Sequence, residues 1–221
     1  MSDRDTAAAR LVCSWLLTYP DEALMARMDD IAEVVAVLPV DTGAPLREFL
    51  SHLADTPLMV LQQHFVQIFD MRRRACPYLS YWTDGETRNR GRGILRFRQA
   101  YVDSGFTPSD DELPDHLAVV LEFAAVGDPL TGDALLAEHS GPIHLLRDAL
   151  ESMNSTYVHV LDAVIATLPE LTPEVAERMA VLAASGPPAE QVGLEPFPSS
   201  PTVFEIGARA WTSRPPSRSW S

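Results

Sequence analysis

Residues 65–91 read FVQIFDMRRRACPYLSYWTDGETRNRG, and residues 112–125 read ELPDHLAVVLEFAA. The first stretch sets the arginines Arg72, Arg73 and Arg74 beside the rings of Tyr78, Tyr81 and Trp82 and a D-G turn signal. Charge interleaved with aromatic rings suits a binding surface better than a packed core. Residues 71–85 lack a clean helical period and read as a long aromatic connection, a kind of segment that is uncommon in compact domains and often functional. The second stretch places Leu117, Val120, Leu121 and Ala124 on one helical face, after Pro114 and before Gly127.

Outward from these stretches the period stays helical. Ala8, Leu11, Val12, Trp15, Leu16 and Tyr19 form a stripe that Asp3 or Asp5 can cap and Pro20 ends. A helix over 21–38 carries Leu24, Met28, Ile31, Val34 and Val35, and short stripes follow Pro45 and Pro57. Helix resumes near 86 and runs to about 104; residues 105–114 are a linker. Further helices are expected over 132–139, 142–168 and from Thr172 to Gly186. No alternation bounded by hairpin turns appears, so the expected fold is all-α: a single-domain bundle of about eight or nine helices over residues 1–185. From Pro187 the chain turns rich in proline and serine and loses its period, and 186–221 is expected to be a disordered tail.

The bulk numbers narrow the chemistry. The net charge is −14, every basic residue is an arginine, and eight of the 17 arginines fall between Arg72 and Arg98. Such a chain repels a nucleic-acid backbone and attracts basic partners, with one basic island. The lack of lysine excludes a Walker-type phosphate loop and a Schiff-base enzyme. Two distant cysteines, Cys13 and Cys76, make no disulfide framework and fit a reducing compartment. With an acidic N-terminus and no apolar run of spanning length, a cytoplasmic location without direct membrane insertion is expected.

The candidate residues each carry two readings. Arg72, Arg73 and Arg74 are either a solvated loop paired with acidic neighbours or a recognition site for carboxylate or phosphate. Tyr78, Tyr81 and Trp82 either pin the connection to the core or wall a groove. Asp115 and His116 are either a helix cap or a site pair, the carboxylate taking a partner's arginine and the imidazole tuning affinity near neutral pH. Cys76, beside arginines, is either incidental or a reactive thiol. The histidines are scattered, and no metal-binding or nucleophile motif appears, so no metal, no cofactor and no catalytic set is expected.

The segments FDMRRRACPYLSYWTDGETRNRG (69–91), ELPDHLAVVLEFAA (112–125) and LLTYPD (16–21) resemble the nitrate reductase molybdenum-cofactor assembly chaperones. This is the delta-subunit or NarJ family, a branch of the TorD/DmsD-like redox enzyme maturation proteins; the resemblance spans about residues 8–184. It implies an all-helical cytoplasmic chaperone, not an enzyme, with no cofactor of its own. It implies binding of the apo catalytic subunit of nitrate reductase through that subunit's N-terminal, leader-like segment and a second region. It further implies assistance to molybdenum cofactor and iron–sulfur insertion before membrane attachment, without becoming a permanent subunit. The alternative is a maturation chaperone for a different twin-arginine-exported molybdoenzyme. On this reading Tyr78, Tyr81, Trp82 and Leu121 wall a peptide groove, Asp115 and Glu122 pair with basic side chains, and His116 tunes the affinity. Arg72 to Arg74 contact acidic parts of the apoenzyme or hold the loop through internal ion pairs.

Overall fold

Ser2 opens the first helix, α1 (Asp3–Leu16), with a reciprocal cap. Its hydroxyl accepts from the Asp5 N–H at 3.2 Å, and the Asp5 carboxylate accepts from the Ser2 N–H at 3.3 Å. The sequence pattern points to Asp3 or Asp5 as the cap; Asp5 takes part as the returning arm of a box that Ser2 begins. The computed structural model describes residues 1–168 and 173–188; the regular elements among them are all helices, with one isolated β-bridge between Tyr78 and His116. The expected tail lies outside the described residues from 189 onward.

The helices after α1 are α2 (Glu22–Ala26), α3 (Met28–Val37), α4 (Val40–Asp55), α5 (Leu58–Phe65), α6 (Leu79–Asp84) and α7 (Arg90–Asp103). Then come α8 (Leu117–Val126), α9 (Pro129–Glu138), α10 (Ser140–Ser152), α11 (Val158–Ala166) and α12 (Pro173–Ser185). The all-α architecture is the expected one, but twelve α-helices stand among the described residues where eight or nine were expected. Two long stripes are each broken once. The stripe over 21–38 divides at Arg27, whose backbone ends α2 and opens α3. The stripe over 142–168 divides between Met153 and Tyr157, where Asn154 takes a left-handed conformation at φ 52°. Asparagine tolerates that region better than most residues, so the break is written locally. A third difference lies in the aromatic connection: Arg73–Ala75 is a 3₁₀ turn and residues 79–84 form α6.

α8 is the central helix. Leu117, Ala118, Val120, Leu121, Phe123 and Ala124 are buried, so it is enclosed on most sides rather than along one stripe. α1 packs against it, burying Ala9, Val12, Cys13 and Leu16, and α9 packs against it as well. Gly132 permits that approach, since a methyl group there would overlap Ala124. α4, α10 and α11 complete the core, with the Phe49 and Tyr157 ring centroids 4.9 Å apart.

One buried arginine ties three helices together. From α1, Arg10 donates to Asp133 of α9 at 2.5 Å, and to the Thr167 carbonyl and hydroxyl beyond α11 at 2.9 and 3.2 Å. A guanidinium enclosed this far needs such partners to offset its lost hydration.

Candidate functional site

A groove of about 590 Å³ opens between the end of α1, the α5 exit, the residues before α6, the α7–α8 connection and one side of α8. Rings dominate its wall: Trp15, Tyr19, Phe65, Phe69, Tyr78, Tyr101, Phe106 and Phe123. The charged residues that line it are Asp70, Asp111, Glu112 and Glu122, all exposed, and no arginine is among the lining residues. The site is therefore an apolar trough with an acidic rim.

Local structure explains how the rings converge. After α5 the backbone widens into a single π turn, Val66–Asp70. Such turns are rare and often mark functional sites. Here it brings Phe69 to 4.8 Å from Phe65, and Tyr19 meets Phe65 edge-on at 5.6 Å. The Arg27 guanidinium lies 3.9 Å over the Trp15 ring, a cation–π contact that helps hold that indole. On α8, Val119, Glu122, Phe123 and Val126 share the face turned to the groove.

The α7–α8 connection forms the remaining wall, and both of its ends are tied to Tyr101. The Tyr101 carbonyl accepts from the Phe106 N–H at 2.8 Å, and its hydroxyl donates to the Pro114 carbonyl at 2.6 Å. Gly105, at φ 85°, makes the turn out of α7. Between these anchors Phe106 packs edge-on against Phe123, and the Tyr78 hydroxyl donates to Glu112 at 3.1 Å.

The expected site residues divide sharply by position. Tyr78, His116 and Glu122 line the groove. Leu121 is wholly buried, and Tyr81 and Trp82 are buried on α6 without reaching the groove; the Trp82 N–H donates to the Cys76 carbonyl at 2.9 Å. Tyr78 and Tyr81 part company because Tyr78 stands before the first turn of α6 while Tyr81 lies within it. Asp115 is wholly buried. Its Oδ2 accepts from the Ser80 hydroxyl at 2.5 Å and the Ser80 N–H at 3.3 Å, and Oδ1 has no hydrogen-bond partner. That geometry clips α8 to α6 and leaves no face for a partner's arginine. Arg72, just before the 3₁₀ turn, and Arg73 and Arg74 on it are exposed and do not line the groove, with Arg73 3.6 Å from Glu86. Trp15, Tyr19, Phe65, Phe69, Phe106, Glu112 and Phe123 are groove residues that the sequence reading does not single out.

His116, not Asp115, caps α8: its Nδ1 accepts from the Ala118 N–H at 3.1 Å. An accepting Nδ1 is unprotonated, so the neutral ring carries its hydrogen on Nε2. Burial holds the His116 pKa below its ordinary 6.5, against the opposing pull of Glu112 and Asp115. Cys76 is pushed upward by burial, the direction opposite to that of a reactive thiolate. No group of His, Cys, Asp and Glu among the described residues is arranged to hold a metal ion, and no described helix is long and apolar enough to cross a membrane.

The family model described as "Nitrate reductase delta subunit" matches residues 37–163, more than half of the chain. The chain belongs to this family. Among its relatives, the Bacillus subtilis protein assigned as nitrate reductase molybdenum cofactor assembly chaperone NarJ is 31% identical over 76% of this chain and 90% of its own length. The Escherichia coli protein named as the same chaperone is 28% identical over 70% of this chain and 67% of its own. The nitrate reductase-like protein NarX of Mycobacterium tuberculosis is 39% identical over 70% of this chain, which spans 23% of NarX. A crystal structure from Archaeoglobus fulgidus, assigned as a redox enzyme maturation protein, superposes with a TM-score of 0.56 at 22% identity. It covers 72% of this chain and 91% of its own, and so shares the delta-subunit fold. The two chaperone relatives carry the names of assembly factors rather than of catalysts.

Proposed function

We propose that this chain is a cytoplasmic chaperone that holds the catalytic subunit of nitrate reductase while its molybdenum cofactor and iron–sulfur cluster are inserted, and then leaves. The groove takes the subunit's N-terminal, leader-like segment as a short helix. One observation carries this reading: the trough is walled by rings while its charged lining residues are all carboxylates. An amphipathic segment with basic side chains is its chemical complement, apolar face inward and cations on the rim. Tyr78 and His116 contribute wall, while Glu122 and Glu112 supply the charge. Buried Asp115 holds the wall in place instead of touching the client.

Calorimetric titration with a synthetic peptide of that N-terminal segment tests the reading. Saturable binding in the micromolar range or tighter is expected, weakening as salt rises. Val126 is exposed on the rim, so Val126→Asp is expected to fold and to weaken binding about tenfold. Glu122→Gln is expected to weaken it a few-fold and flatten the salt dependence, whereas Asp115→Asn leaves the salt dependence unchanged. A soluble peptide that does not bind, or one indifferent to Val126→Asp, would remove the groove from client recognition.

A further inference from the structure

No arginine lines the groove, although Arg90 lies 5.6 Å over the ring of Tyr78 on its wall. Over residues 71–99 eight arginines stand against Asp84 and Glu86, a formal +6, so the other residues together carry −20 of a total of −14. Two neighbouring elements display it. At the 3₁₀ turn, Arg72 before it and Arg74 within it are exposed and have no ion-pair partner among the described residues. Arg73 lies 3.6 Å from Glu86, in the short connection that leads into α7. Along α7 itself, Arg92, Leu95, Arg96, Gln99 and Val102 share one exposed face.

Leu95 is 61% and Val102 48% exposed on that face. The Arg96–Glu138 pair at 3.2 Å is solvated on both sides and is readily exchanged for another carboxylate. Arginines flanking uncovered aliphatic side chains are the composition of a protein interface. Charge complementarity fixes the sign of the partner. The two aliphatics decide its class: a nucleic-acid backbone would engage the arginines and leave Leu95 and Val102 in water. Beyond the patch, such a polyanion would meet the −20 of the remaining chain.

We propose that the outer face of α7, extended by Arg72 and Arg74, is a second docking surface that takes an acidic, partly apolar protein segment. The proposal rests on the chaperone reading in one respect: the partner is the same catalytic subunit, gripped outside its N-terminal segment. A groove for a basic segment and a separate face for an acidic one orient a single client, and the second contact becomes intramolecular once the first has formed.

The test measures binding of two probes to the full chain. One is the N-terminal peptide. The other is the cofactor-free catalytic subunit lacking that segment. The truncated subunit is expected to bind with affinity that falls as salt rises. The double variant Arg92→Glu/Leu95→Asp is expected to weaken it about tenfold while peptide affinity stays at the parent value. Equal binding of the truncated subunit to parent and variant overturns the proposal, as does peptide binding without any binding of the truncated subunit. Salt-sensitive retention of RNA that Arg92→Glu abolishes would overturn the choice of partner. Failure of both probes to bind sinks the chaperone reading and this inference with it.

Discussion

His116 joins three roles in one ring. It caps α8 through Nδ1, meets Tyr78 edge-on at 5.0 Å, and faces the groove. The fold disfavours its protonation, because burial lowers its pKa and a proton on Nδ1 would remove the cap. The unfolded chain therefore binds that proton first. As the pH falls below 6.5, stability is lost, and it is fully present above that value. His52, His64, His139 and His144 are lowered by burial as well, so they add to the same slope. His116→Asn keeps a good capping side chain and removes one titration. The variant is expected to lose less stability than the parent between about pH 7 and about pH 5, read from urea midpoints. Equal losses would show that His116 does not titrate with folding. At this scale the sequence left the Asp115–His116 pair undecided between cap and site. The outcome depends on Ser80, a residue 35 positions away that claims the carboxylate, and nothing local announces it.

Among the elements, α8 was the most legible and also the most incompletely read. Leu117, Val120, Leu121 and Ala124 predict a buried face and are buried. Yet Val119, Phe123 and Val126 form a second apolar face, a surplus that only a groove or another helix can use. That surplus is visible in ELPDHLAVVLEFAA and the Val126 that follows it, and is the available signal for the site. The π turn after α5 carried no such signal, because its register is imposed by packing rather than by propensity. The α7–α8 connection offers a test of how the site is held. Both of its ends are fastened to Tyr101, whose hydroxyl is buried against the Pro114 carbonyl. Tyr101→Phe removes that bond and leaves the carbonyl unpaired, at a cost of about 1–3 kcal/mol. Amide exchange is expected to quicken across residues 106–113 while α1 stays protected, because the connection loosens before the core does. Uniform acceleration through α1 would mean that Tyr101 supports the whole fold rather than this wall.

Across the whole molecule, the charge pattern was legible and the groove was not. The basic island was countable from the arginines, whereas the trough is assembled from Trp15, Phe69, Tyr78 and Phe123, which no periodicity links. α1 leads Trp15 and Tyr19 to the wall, and Arg10 fastens that helix to Asp133 of α9 and to Thr167 at the end of α11. The Arg10 side chain is 4% exposed while Asp133 is 53% exposed, so the two ends of the pair are unequal. If Arg10 is replaced by methionine, Asp133 turns to water at little cost, but the enclosed Thr167 carbonyl loses its donor. The expected loss is about 2–3 kcal/mol, near that of a buried hydrogen bond to a charged group and below the 3–5 kcal/mol of a fully buried pair. Urea unfolding at neutral pH measures it as a lower midpoint with an unchanged slope. A changed slope would show that α1 detaches as a unit of its own. Because Trp15 and Tyr19 travel with α1, peptide affinity would then fall together with the local stability of that helix.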